Sequence, residues 1–160
     1  MLRKEWLNLA KNKRGKILVC VKNKNTAYNL ISTAKKLSTL KNLPLQVIYI
    51  KPSNEGNNVN SDELEYIYSA SKKVGAELTI FFNDDPALIA ASFAKQINAK
   101  QLIVGINNNN ISLFTNTIRT LLPSVIISMI SPEGKIYNMY PILGCLNIKY
   151  PNFKTQLQHI

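Results

Sequence analysis

Histidine is nearly missing from this chain: His159 is the only one in 160 residues. Cysteine is scarce too, with Cys20 inside an apolar run and Cys145 far away near the C-terminus. Neither lies in a CxxC pair or beside a histidine. Zinc sites draw on Cys and His, and activated nucleophiles commonly need a His base, so both chemistries are set aside. Two isolated cysteines are expected to be reduced, as in a cytoplasmic protein. Long apolar runs are absent as well. None approaches the ~20 residues that span a bilayer, and no apolar stretch of signal-peptide length opens the chain. Acids are few, nine against twenty Lys and Arg, for a net charge of +11.

What is present is unevenly spread. Residues 1–51 hold twelve Lys/Arg and one acid, Glu5, which gives +11; residues 52–160 hold eight of each sign, which gives zero. A basic first third points to an anionic partner or to a solvated basic face. The 46% hydrophobic content over this length suits one domain with a real core.

Five short apolar runs recur at Ile17–Val21, Leu45–Ile50, Glu77–Phe82, Gln101–Ile106 and Ser124–Ile130. They lack strict alternation, as expected of parallel strands covered on both faces. Helical patterns fill the gaps. One follows Asn25/Thr26; a second starts at Ser61 as cap and stops at Gly75; a third opens on Asp85-Pro86; a fourth stops at Pro123. The resulting βαβαβαβαβ pattern predicts an α/β fold with a doubly wound, five-stranded parallel sheet in the order 3-2-1-4-5. A leading basic helix over residues 1–14 carries Trp6 and Leu9, and the tail from 131 to 160 holds a turn at Pro132–Gly134 and a further strand at Lys135–Met139. The α/β domain is thereby assigned to residues 15–130.

Ligands of such sheets sit beyond the carboxyl ends of the strands, where strand order reverses. That places the loop Lys22–Thr26, with Asn23, Lys24 and Asn25 between, opposite the loop Gly105–Ser112, which holds Asn107 and Asn108. Lys22 and Lys24 are therefore candidate anion ligands, and the alternative is a pair of solvated loop lysines. Asp84 and Asp85 are adjacent acids, but Asp85-Pro86 is fully explained as a helix start.

The runs KILVCV, LPLQVIYIKP and KKVGAELTIFFNDDPALIAASFAKQINAKQLIVG, with the polar loop before Leu113-Phe114, resemble the universal stress protein family. The resemblance covers about residues 15–130 and is nearest to the cytoplasmic domain of KdpD potassium-responsive sensor kinases. It implies a Rossmann-like fold akin to the adenine nucleotide alpha hydrolases, a cytoplasmic signalling role, and a nucleotide such as ATP or cyclic di-AMP as ligand. In ATP-binding members the first strand ends in an acid and a Gly-x2-Gly-x9-Gly-Ser/Thr loop follows the fourth. Here the acid is replaced by Lys22, Gly105 is the one glycine kept, and Asn108 stands in the second glycine's place. A backbone phosphate cradle needs those glycines, which speaks against ATP held in the usual manner. Members binding cyclic di-AMP carry Ser-x-Ser, twenty residues, then Phe-Thr-Ala-x-Tyr. This chain keeps the spacing as Lys22-Asn23-Lys24, twenty residues, then Leu45-Gln46-Val47-Ile48-Tyr49. Tyr49 either stacks on a base or closes the core.

The expected function is a non-catalytic sensory domain binding an anionic nucleotide through Lys22, Asn23, Lys24, Asn25, Thr26, Tyr49, Gly105, Asn107, Asn108 and Ser112, with a sensor kinase as a candidate partner. The alternative is a degenerate module without ligand, a scaffold that dimerises through its fifth strand, which is otherwise an uncovered edge. Enzymatic activity is not expected: slow ATP hydrolysis occurs among relatives, but the loop it needs is broken. Nucleic-acid binding is not expected either, because no aromatics interleave the basic residues.

Overall fold

The computed structural model describes residues 14–54, 60–107 and 110–141 and the backbone of residues 55 and 157–159. Residues 1–13 of the expected leading helix, Asn108 and Cys145 lie outside the described residues. Seven strands form one sheet: β1 (Lys16–Val21), β2 (Leu45–Lys51), β3 (Glu77–Phe82), β4 (Ala99–Gly105), β5 (Ile126–Ile130), β6 (Ile136–Met139) and β7 (Leu157–His159). Their order is β3-β2-β1-β4-β5-β6-β7. The first five are parallel in the 3-2-1-4-5 arrangement read from sequence.

Four helices cross between the parallel strands: α1 (Lys24–Lys41), α2 (Ser61–Lys73), α3 (Pro86–Gln96) and α4 (Leu113–Leu121). Their starts follow capping chemistry. Asn60, rather than the expected Ser61, caps α2, its Oδ1 accepting from the Asp62 and Glu63 amides at 3.1 and 3.2 Å. Asp85 caps α3 ahead of Pro86, whose missing N–H is no loss in a first turn. α2 ends at Gly75, left-handed at φ +71°, where the Gly75 and Ala76 amides return to the last-turn carbonyls of Lys72 and Ser71.

Alternate strand residues feed two cores. Ile17, Val19, Val21, Val47 and Tyr49 pack under α1 and α2 through Ala27, Leu30, Ile31, Ala34 and Ile67. Leu18, Cys20, Ile48, Leu102 and Val104 pack under α3 and α4 against Ala87, Ala90, Ala91, Ala94 and Ile118. The four alanines let α3 approach the sheet closely, and Phe93 meets Phe81 edge to face at 5.4 Å.

The expectation of five strands with β5 as an open edge is corrected. β5 pairs antiparallel with β6, and β6 with β7. The cause is polar as well as apolar. Fully buried Gln101 donates from Nε2 to Ser128 Oγ at 2.6 Å; Ser128 donates to Asn138 Oδ1; Asn138 Nδ2 donates to Tyr140 OH at 3.2 Å. This chain runs across β4, β5 and β6 and fixes the place of the added strand. His159 is the last residue of β7.

Beyond β2 the chain makes a short 3₁₀ turn, Ser53–Glu55, tied to the end of β3. Asp84 accepts from the Ser53 amide at 3.0 Å and from Ser53 Oγ at 2.7 Å. These bonds hold the Asp84 carboxyl below its ordinary range.

Two outcomes follow for stability. Ser128→Ala strands buried polar atoms of Gln101 and Asn138, so urea unfolding should report a loss of about 1–3 kcal/mol. Because the folded Asp84 titrates below its unfolded value, the Ser53 tether is intact above the ordinary carboxylate range and is lost as pH falls through the depressed value. Amide exchange at Ser53 should accelerate over that acidic window, and Asp84→Asn should flatten the pH dependence.

Candidate functional site

The gap at the sheet's reversal opens between the carboxyl ends of β1 and β4. After Val21 the chain exposes Lys22, then turns at Asn23, whose extended backbone (φ −156°, ψ 170°) caps α1. Asn23 Oδ1 accepts from the Thr26 amide at 3.2 Å and from Thr26 Oγ1 at 3.3 Å. Across the gap β4 ends at Gly105; the Ile106 amide bonds Ile130 O at 3.0 Å, and the Asn110 amide closes a turn on Asn107 O at 3.1 Å. Ser112 caps α4, accepting from the Thr115 amide at 3.1 Å, and the half-buried Phe114 lies in the first turn of α4. A third wall is the β5–β6 turn from Ser131 to Lys135, which Asn29 of α1 reaches through Nδ2 to Ser131 O at 3.4 Å.

A cleft of about 90 Å³ lies between these walls. Cys20, Lys22, Asn23, Thr26 and Asn29 line one side; Gly105, Asn107, Phe114, Ser131 and Pro132 line the other. Pockets for whole drug-sized ligands start at about 300 Å³, so this space matches a group of phosphate size. A Cβ built on Gly105 would meet only Leu30 Cδ1, at an ordinary 3.9 Å, so nothing in the protein fills the space above it.

Lys22 gives the cleft its charge. It is the one charged side chain in the described lining, and its Nζ stands 5.2 Å from the centroid of the Phe114 ring. A cation over a ring face is held electrostatically while its N–H donors remain available. Cys20 borders the same space, but burial pushes its thiol up to about 12 and outweighs the downward pull of Lys22. A thiol so raised stays protonated and is a poor nucleophile. Among the described residues no cluster of three or more His, Cys, Asp or Glu side chains could hold a metal.

The sequence candidates divide accordingly. Lys22, Asn23, Thr26, Gly105 and Asn107 meet at the cleft. Lys24 and Asn25 are exposed in the first turn of α1 and do not line it. Ser112 is spent on its cap, donating also to Thr115 Oγ1 at 3.1 Å. Tyr49 is a core residue, 2% exposed, with its hydroxyl on Glu63 Oε1 at 2.7 Å; stacking on a base is thereby corrected to closing the core. Lys51 covers its ring at 5.2 Å and pairs with Glu63 at 3.4 Å. Asn29, Phe114 and Ser131 were not singled out in the sequence. Asn29 was findable, since three residues after Thr26 a helix returns to the same face.

By sequence the chain matches no protein-family model and no curated protein. Solved structures do match. A universal stress protein from Archaeoglobus fulgidus superposes with a TM-score of 0.55 at 19% identity, over 73% of this chain and 92% of that one. The Archaeoglobus fulgidus protein in complex with dAMP gives 0.51 at 21% identity, over 73% and 96%. A universal stress protein in complex with cAMP gives 0.55 at 12% identity, over 73% and 97%. No described helix is long and apolar enough to cross a membrane. The α/β architecture with its mostly parallel central sheet is therefore the fold of the universal stress proteins.

Proposed function

We propose that this chain is a non-catalytic, cytoplasmic regulatory domain that binds an anionic adenine nucleotide, ATP-like or cyclic di-AMP-like, in the β1–β4 cleft. The observation that carries the reading is Lys22, a cation held over Phe114 at the point where strand order reverses. Ligands of open α/β sheets gather there. The dAMP and cAMP complexes among proteins of the same fold add weight. A regulatory rather than catalytic role rests on the lining, where the Cys20 thiol is raised and the acids Asp84 and Asp85 are engaged elsewhere as a loop tether and a helix cap. The link to stress or potassium signalling, through a sensor kinase of the KdpD kind, rests on the sequence resemblance alone.

Nucleotide binding is tested by thermal unfolding of the whole chain. A ligand at a hundredfold excess over its Kd stabilises the folded state by about 2.7 kcal/mol, a rise of roughly 5–10 °C for this size. AMP, ATP and cyclic di-AMP that all leave the melting temperature unmoved sink the reading.

The second reading, a ligand-free homodimeric scaffold, is favoured by one observation. β3 forms a sheet edge, and Ile80 and Phe82 on it are 39% and 40% exposed. Uncovered apolar edges recruit other strands. With β5 closed by β6, a two-fold pairing would run through β3. Light scattering on the eluting peak should then give twice the monomer mass, and Ile80→Lys should return it to monomer.

A further inference from the structure

Resting on that nucleotide reading, the geometry points to a phosphate site that works without a divalent cation and prefers a singly charged phosphodiester or a free phosphomonoester to a magnesium nucleotide. Magnesium nucleotide sites hold the metal through one or two carboxylates together with the phosphates. The two loops that frame this cleft supply none: residues 22–29 read KNKNTAYN and residues 105–112 read GINNNNIS. The third wall contains one acid, Glu133, which is exposed in the β5–β6 turn and is not among the residues that line the space.

In place of a metal stands an ammonium. Lys22 sits over the Phe114 ring, which offers no lone pair, and no described carboxylate or carbonyl accepts from it. Among the described residues its N–H donors have no acceptor, and an anionic oxygen would give them a charge-assisted bond stronger than a neutral one. A divalent ion brought beside that ammonium would find no carboxylate in the described lining to hold it. One lysine balances the single charge of a phosphodiester and at least half the charge of a phosphomonoester. The amides of Asn29 and Asn107 add neutral donors at the rim and raise the count of charges no further.

The test is calorimetric titration of the full chain with AMP, cAMP and ATP, each in EDTA and in excess magnesium. AMP and cAMP should bind equally in both buffers, while ATP weakens about threefold or more when magnesium is added, a difference well above calorimetric error. Lys22→Met should lower AMP affinity about tenfold or more, the loss of one charge-assisted bond. Lys22→Asp should make magnesium a requirement for whatever binding remains. Magnesium dependence in the unaltered chain, or unchanged affinity in Lys22→Met, overturns the proposal and leaves nucleotide binding itself standing. Inorganic phosphate in EDTA separates the remaining case. If it shifts the Lys22–Thr26 amide resonances while all three nucleotides fail, the metal-free site stands and the nucleotide reading falls. If phosphate fails as well, both fall.

Discussion

The pairing of β1 with β4 is the contact on which the rest of the molecule depends. It reverses the direction in which strands are added, sends α1 and α3 to opposite faces, and opens the gap between their loops. That pairing has a steric condition at its amino end. Gly15, left-handed at φ +90°, lies against β4 so tightly that a Cβ there would sit 2.7 Å from Asn98 O and collide with Lys100 Cγ. The Lys16 amide bonds the same Asn98 carbonyl at 3.2 Å, and the register shifts between Lys16 and Ile17 to fit. Only a residue without a side chain tolerates both the dihedral and the approach. A glycine at one end of the strand pair thus sets the geometry of the cleft at the other.

Around that pairing, polar groups are placed where the fold would otherwise be loose. The Gln101–Ser128–Asn138 chain lies in the part of the sheet flanked by the short strands β6 and β7, which bring only four and three residues to it. Short strands add few ladder bonds, so a buried, directional network supplies the register that apolar packing alone leaves undetermined. The Asp84–Ser53 pair does the same for the loop beyond β2, with the carboxylate exposed and its contribution correspondingly screened.

Much of this was legible in the residues. The five parallel strands announce themselves as β-branched runs, and right-handed crossovers leave little choice of order. The strand at Lys135–Met139 is legible in the sequence, but not its antiparallel pairing with β5, and β7 is not, because Gln158 and His159 break the apolar pattern and the partners lie across the sheet rather than along the sequence. At the site, position along the chain was enough for Lys22, Asn23 and Thr26. It misled for Lys24 and Asn25, because α1 begins at Lys24 and each helical residue turns about 100° from the last. For Tyr49 strand parity decides: with Leu45 and Val47 it faces α1 and α2, where a hydroxyl must find a partner, and Glu63 is that partner. Phe114 and Ser131 could not be placed on the cleft without knowing how α4 and the β5–β6 turn close over it.

The third wall of the cleft ties it to the added strands. Asn29 reaches Ser131 O at 3.4 Å, across 102 residues of sequence, and the Ser131 hydroxyl in turn accepts from the Lys135 amide at 3.0 Å. At that length the Asn29 bond is at the weak end of hydrogen bonding. Asn29 Nδ2 carries two N–H donors and only one of them is spent on Ser131 O. The turn is closed besides by its own bonds, Ser131 N–H to Lys135 O at 2.9 Å and Gly134 N–H to Ser131 O at 2.9 Å, so it does not hang on Asn29. Asn29 therefore borders the cleft and the β5–β6 turn at once, and a weak bond at one of its hydrogens leaves the other for an acceptor in the cleft.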